Sequence, residues 1–188
     1  QTRPADALEA LYTAERLARE LAASDPANTE WTSDAASIGI DLASKLAALD
    51  QVDAADRELK AAETQIDSLL GAGGSNPILI EYKAQAQTCT AEIHERRKDY
   101  AAAEAALRAA VDTRRRRMDF ENGRDACTAV AMALVKLGDL LSRRDNRAAT
   151  ERVLAEALMT IDLPSREDPR NVNLAQLAAS VLGRLGEI

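Results

Sequence analysis

The chain has 188 residues, of which 46% are hydrophobic but only 3% aromatic, so its apolar content is chiefly Ala and Leu. That mixture argues against a β-sandwich core and favours closely packed helices. A net charge of −7 argues against a general nucleic-acid binder, and no apolar run approaches the ~20 residues that cross a bilayer.

Gly and Pro mark the breaks between helices. The first helix is expected over 4–23, ending at Asp25-Pro26-Ala27-Asn28, and the second over 29–48. Helices over 52–71 and 77–97 flank Gly71-Ala72-Gly73-Gly74-Ser75-Asn76-Pro77. Helices over 100–118 and 123–143 flank Glu121-Asn122-Gly123, and the last two are expected over 146–162 and 169–186, around Pro164 to Pro169. The short turns Asp50-Gln51-Val52-Asp53, Lys98-Asp99-Tyr100 and Arg144-Asp145-Asn146 each offer an Asp or Asn to cap the next helix.

One signature recurs along these helices. It reads Ala7-Leu11-Ala14, Ala55-Leu59-Ala62, Ala103-Leu107-Ala110 and, with one substitution, Thr150-Leu154-Ala157, at steps of 48, 48 and 47 (7 to 55, 55 to 103, 103 to 150). A second pattern precedes each later copy: Gly39-x2-Leu42-Ala43-x2-Leu46, the degraded Gln87-x2-Thr90-Ala91-x2-His94, and Leu134-x2-Leu137-Gly138-x2-Leu141. Its small residue stands 12 positions before that of the signature (43 to 55, 91 to 103, 138 to 150), which brings two successive backbones close across one short turn. A fixed period of this size marks an array in which each unit buries its apolar face against its neighbours.

These residues resemble the tetratricopeptide repeat, Trp-x2-Leu-Gly-x2-Tyr followed by Ala-x3-Phe and Pro, over nearly the whole chain. Leu137-Gly138 and Ala55/Leu59/Ala62 match it, and Asp25-Pro26-Ala27-Asn28-Thr29-Glu30-Trp31 is similar to the spacer of a bacterial subset. The period exceeds the family's usual 34, and Leu or Val replaces its large aromatics. The resemblance implies an all-α fold, an alpha-alpha superhelix of antiparallel helix pairs, with units at about 1–26, 27–75, 76–122, 123–165 and 166–188. Leu182-x2-Leu185-Gly186 repeats Leu134 to Gly138, so the chain is expected to be a fragment of a longer array whose terminal helices self-associate.

In arrays of this kind the first helix of each pair lines the concave side. The partner-binding residues expected there are Ile40 and Ser44, then Gln85, Thr88, Glu92 and Arg96, then Met132, Val135, Asp139 and Arg143. Aliphatic groups, Met and charges of both signs suit a peptide or helix laid along the face. Ile40/Ser44 and Val135/Asp139 stand where the family's carboxylate clamp uses Lys and Asn, so no chaperone-adaptor role is expected.

Catalysis is not expected. Cys89 and His94 are five steps apart on one helix, roughly 140° around it, and cannot form a nucleophilic pair on one face. His94 reads as a packing residue and Trp31 as a staple at a helix start. Arg114-Arg115-Arg116-Arg117 points all round a last helical turn, where cations complement the helix dipole. The glycine-rich loop lacks the Lys-Ser/Thr ending of a phosphate loop. Cys89 and Cys127 have no metal-ligand spacing and read as reduced thiols of a cytoplasmic protein. The sequence thus predicts a non-catalytic, cofactor-free scaffold or sensor region of a larger bacterial protein, binding a peptide or protein. Self-assembly is the alternative, and anion or RNA binding by the arginine run a weaker one.

Overall fold

A computed structural model describes residues 4–71, 76–118, 120 and 123–188, with side chains from residue 6 onward. Among these residues the fold is all-helical, with no strand. The helices are α1 (Pro4–Ser24), α2 (Thr29–Ala48), α3 (Val52–Gly71), α4 (Pro77–Arg96), α5 (Tyr100–Met118), α6 (Arg124–Arg143), α7 (Arg147–Glu167) and α8 (Val172–Gly186). α1 to α4 pack mainly on their neighbours in sequence, and so do α6 to α8. No described helix is long and apolar enough to cross a membrane. Residues 72–75 of the glycine-rich loop, and 119, 121 and 122 of the later break, lie outside the described residues.

Asparagine starts four of the helices. The side chain of Asn28 accepts from the N–H groups of Glu30 and Trp31, and Asn76 accepts from Ile78 just before Pro77 opens α4. Asn146 accepts from Ala149, and Asn171 from Leu174. Each satisfies an N–H that has no partner within its own helix.

Packing separates the chain into two bodies, Gln1–Ala103 and Glu104–Ile188. In the first, Leu42, Ala43 and Leu46 of α2 share a buried cluster with Ala55, Leu59, Ala62 and Ile66 of α3, and with Ala86, Cys89 and Ile93 of α4. Leu8 and Leu11 of α1 lie against it. In the second, Val130, Ala131 and Leu134 of α6 cluster with Leu154, Ala157 and Ile161 of α7, and with Leu174 and Val181 of α8.

The two cores are one packing written twice. Residues 95 apart are buried in both bodies: Leu42 and Leu137, Leu46 and Leu141, Leu59 and Leu154, Ala62 and Ala157, Ile66 and Ile161, Leu79 and Leu174. Ala43 and Ala55 are fully buried in one cluster, and Gly138 and Thr150 line the same cleft, so the small residues fall where the two patterns meet. At Gly39 a Cβ would stand 3.4 Å from the Cβ of Ala62. At Gly138 it would stand 2.8 Å from Cδ2 and 3.1 Å from Cγ of Leu154, so the buried leucine side chain would have to shift.

The turns between paired helices share one geometry. Asp50, Lys98 and Asp145 adopt φ of 62°, 59° and 55°. The next residue's N–H reaches back to the last helical turn: Gln51 to Leu46 O at 2.9 Å, Asp99 to His94 O at 2.9 Å, Asn146 to Leu141 O at 3.1 Å. This is a Schellman ending, which ordinarily takes glycine at the left-handed position. The same next residue then starts the following helix. Asp99 and Asn146 cap it with their side chains, as expected. In the first turn the cap position falls on Gln51 and not on Asp50 or Asp53, because Asp50 is the left-handed residue and Asp53 is already inside α3.

Two boundaries differ from expectation. α7 does not stop at 162 but runs through Pro164 to Glu167, with the proline ring buried and the Asp168 N–H closing on Pro164 O at 3.1 Å. α8 accordingly begins at Val172 and not at 169. Burial of the Pro164 ring holds the helix past a residue that alone would end it.

Two sets of substitutions test this packing by chemical denaturation. Gly183→Ala, with nothing within 4 Å of the added methyl, is expected to stabilise by about 0.5–1 kcal/mol. Gly138→Ala, driven into Leu154, is expected to destabilise by about 1 kcal/mol or more despite the same gain in helix propensity. At the turns, Lys98→Gly is expected to stabilise by roughly 0.5–1 kcal/mol by relieving the left-handed backbone, and Gln51→Asn by a similar amount by supplying a cap.

Candidate partner-binding face

The residues expected on the first-helix face divide by register. Ile40, Thr88 and Val135 occupy equivalent positions, 48 and 47 apart, and all three are buried. This corrects their assignment as contact residues. In the first body α2 packs on α4, and in the second α6 packs on α8, and this register lies in the seam between first helices. Ile40 and Val135 belong to the two core clusters, and Thr88 turns its hydroxyl inward to donate to Ala84 O at 2.9 Å.

One turn further on, the side chains are polar, half-buried and tie first helices together. Ser44 Oγ on α2 donates to Glu92 Oε2 on α4 at 3.3 Å. In the second body Asp139 on α6 receives two hydrogen bonds from Arg184 on α8, Nε to Oδ1 at 2.6 Å and Nη2 to Oδ2 at 3.0 Å. A guanidinium presented edge-on to a carboxylate fixes orientation as well as distance. Gln85 is also half-buried, with its Nε2 3.5 Å from Glu81 Oε1, while Arg96 and Arg143 are exposed. Met132 is 56% exposed on α6. Met132, Asp139 and Arg143 follow at seven and four residues, so they share one stripe of that helix.

Below this stripe the second body has a cleft of about 540 Å³ at the C-terminal ends of α6 and α8 and the start of α7. Asp139, Arg143, Arg147, Arg184 and Glu187 surround it, with Gly138 and Leu154 at its base. Arg147 and Arg184 were not among the expected residues. Arg184 takes the register of Lys136, 48 residues earlier, and of Cys89, 95 residues earlier, so the internal repeat fixes no single residue type there.

The first body has a smaller cleft, about 190 Å³, between α3 and α4, lined in part by Glu63, Lys83 and Gln87. Glu63 accepts from Thr90 Oγ1 at 3.2 Å, and burial pushes its carboxyl above the usual range. Lys83 pairs with Asp67. On the same body, hydrogen bonding from Lys60, aided by Arg97, holds the Asp56 carboxyl below its usual range.

The remaining expected features are structural. Cys89 is buried on α4, and His94 is half-buried, with its Nδ1 enclosed and 3.9 Å from Asp99 Oδ2. The arginine run is engaged along its own body: Arg115 pairs with Asp112 at 2.8 Å and with Glu156 on α7, and Arg116 donates to Thr113 Oγ1 at 3.2 Å. Among the described residues no group of three His, Cys, Asp or Glu side chains is placed to hold a metal ion.

Because the raised Glu63 carboxyl is favoured in its neutral form when folded, it lowers stability as pH rises through the window above the ordinary glutamate pKa. Glu63→Gln is therefore expected to be more stable than the parent at pH 7. The difference should vanish on acidification, once Glu63 is protonated in both the folded and unfolded states. Urea denaturation as a function of pH checks both parts. No protein-family model matches the chain, and no curated protein matches it.

Proposed function

We propose that the chain is a non-catalytic protein-interaction scaffold or sensor region of the tetratricopeptide-repeat kind, which binds a peptide or protein segment along the first-helix stripe of the second body. The observation that supports this reading is the cleft of about 540 Å³ lined by Asp139 and Arg143, which share a stripe of α6 with the exposed Met132. A flexible thioether adapts to apolar side chains, and the surrounding cations and carboxylates fix the polar ends of a bound segment. The fixed Asp139–Arg184 pair leaves the cleft with a defined edge before anything binds. Anion or RNA binding by the arginine run is less favoured, because Arg115 is already shared between Asp112 and Glu156.

Peptides selected by display against the chain test this assignment. Met132→Glu and Arg143→Glu are each expected to weaken the selected peptides about tenfold or more, roughly 1.4 kcal/mol, with helical content unchanged. Arg152→Glu, exposed on α7, should bind as the parent does. Equal binding by all three variants would remove the proposal.

A further inference from the structure

One register of the second helices changes character between the two bodies. Eight residues after the start of each signature, at steps of 48, 48 and 47, stand Glu15 on α1, Glu63 on α3, Val111 on α5 and Leu158 on α7. In the second body Val111 is buried and Leu158 half-buried, and both pack in the apolar cluster built by α6, α7 and α8. The position is a place for an aliphatic side chain. In the first body a carboxyl takes that place twice.

Glu15 is 7% exposed, and no other Asp, Glu, Lys or Arg among the described residues is buried. Its helix packs on α2. Around it stand Arg19 on α1, which pairs with it, and Glu58 on α3, which takes a hydrogen bond from the same Arg19 at 2.6 Å. One cation is thus shared between two carboxylates. Glu63 is half-buried where α3 packs on α4, and it accepts from Thr90 Oγ1 on α4 at 3.2 Å. The charges around it are Asp56 and Asp67 on α3 and Lys83 on α4, which is already held by Asp67. α2, packed against both α1 and α3, contributes the apolar Leu42, Ala43 and Leu46 to the shared cluster. An ionised carboxylate in either place loses hydration that its neighbours only partly replace, whereas the neutral acid does not carry that cost.

We propose that Glu15 and Glu63 make the first body an acid-tightened element. With both carboxyls neutral, its α1–α2 and α3–α4 seams close as the aliphatic register of the second body does. With both ionised, the seams loosen. The direction follows from burial, which raises both carboxyls above the ordinary glutamate value of 4.5. Stability from such groups is fully present below that value and is lost as pH climbs through the folded values. Asp56 is shifted the opposite way, so its own contribution changes only in more acidic solution. The second body, with Val111 and Leu158 at this register, lacks the response.

Hydrogen exchange of the 188-residue chain, read by mass spectrometry at pH 5.5 and pH 7.5 and corrected for intrinsic rates, follows each helix separately. Amides of α1 to α4 should lose protection at the higher pH, while those of α6 to α8 keep theirs. In the double variant Glu15→Gln, Glu63→Gln the first body should be equally protected at both pH values. Glu15→Leu, Glu63→Leu, which writes the second body's side-chain class into the first, should also abolish the loss and raise protection at pH 7.5. Equal protection of the parent at both pH values would overturn the proposal, as would an equal loss in both bodies. So would a loss that persists in both double variants, which would assign it to another group such as His94.

Discussion

Everything in this fold depends on how closely a first helix can approach the second helix of its pair. Where α6 meets α7, the absence of a side chain at Gly138 lets Leu154 fill the space a methyl group would take. Where α2 meets α3, Gly39 faces Ala62 at van der Waals distance. Bulk at these positions would open the pair and unseat the leucines and isoleucines whose burial stabilises each body. The left-handed turn residue is the second half of the same constraint. It reverses the chain within two residues, so the small positions meet at a fixed offset on both sides of the turn.

Once that approach is made, the apolar surface of a pair is only half consumed. The first helices then pack on one another, α2 on α4 and α6 on α8, and draw Ile40 and Val135 into the core. The next register along is polar: Ser44 with Glu92, and Asp139 with Arg184. These side chains are half-buried and already hydrogen-bonded across helices, so they form a firm polar edge. Met132, in contrast, is exposed and apolar, and the cleft beside Arg143 adds depth. A rigid polar edge next to an adaptable apolar group is the combination on which the proposed recognition role rests.

Much of the architecture was legible in the residues. The 48-residue spacing of Ala55-Leu59-Ala62 and its copies placed the helices, and the 12-residue offset between small residues placed the turns, because both follow from helix geometry and local sequence. The cap residues Asp99 and Asn146 were legible for the same reason, whereas Asn28 and Asn76 were read only as parts of the longer breaks. Pro164 was misread as a stop, since its effect on an isolated helix is strong and local, whereas its burial on α7 is a tertiary property. The candidate face was half legible. Its stripe on α6 could be projected from Gly138, but Val135 and Met132, three residues apart and both apolar, have opposite fates, one buried in the core cluster and one exposed, which only tertiary packing decides.

The sequence by itself determined that this protein is built of paired helices repeating at a fixed interval, because helix periodicity, small-residue contacts and caps are encoded within a few turns of chain. Tertiary structure alone decided which polar residues meet. Asp139 and Arg184 are 45 residues apart, which is not the repeat interval, and the register of Arg184 is filled earlier by Cys89 and Lys136, so no periodic pattern could announce the pair. It exists because packing α8 on α6 brings a guanidinium to a carboxylate that water would otherwise solvate.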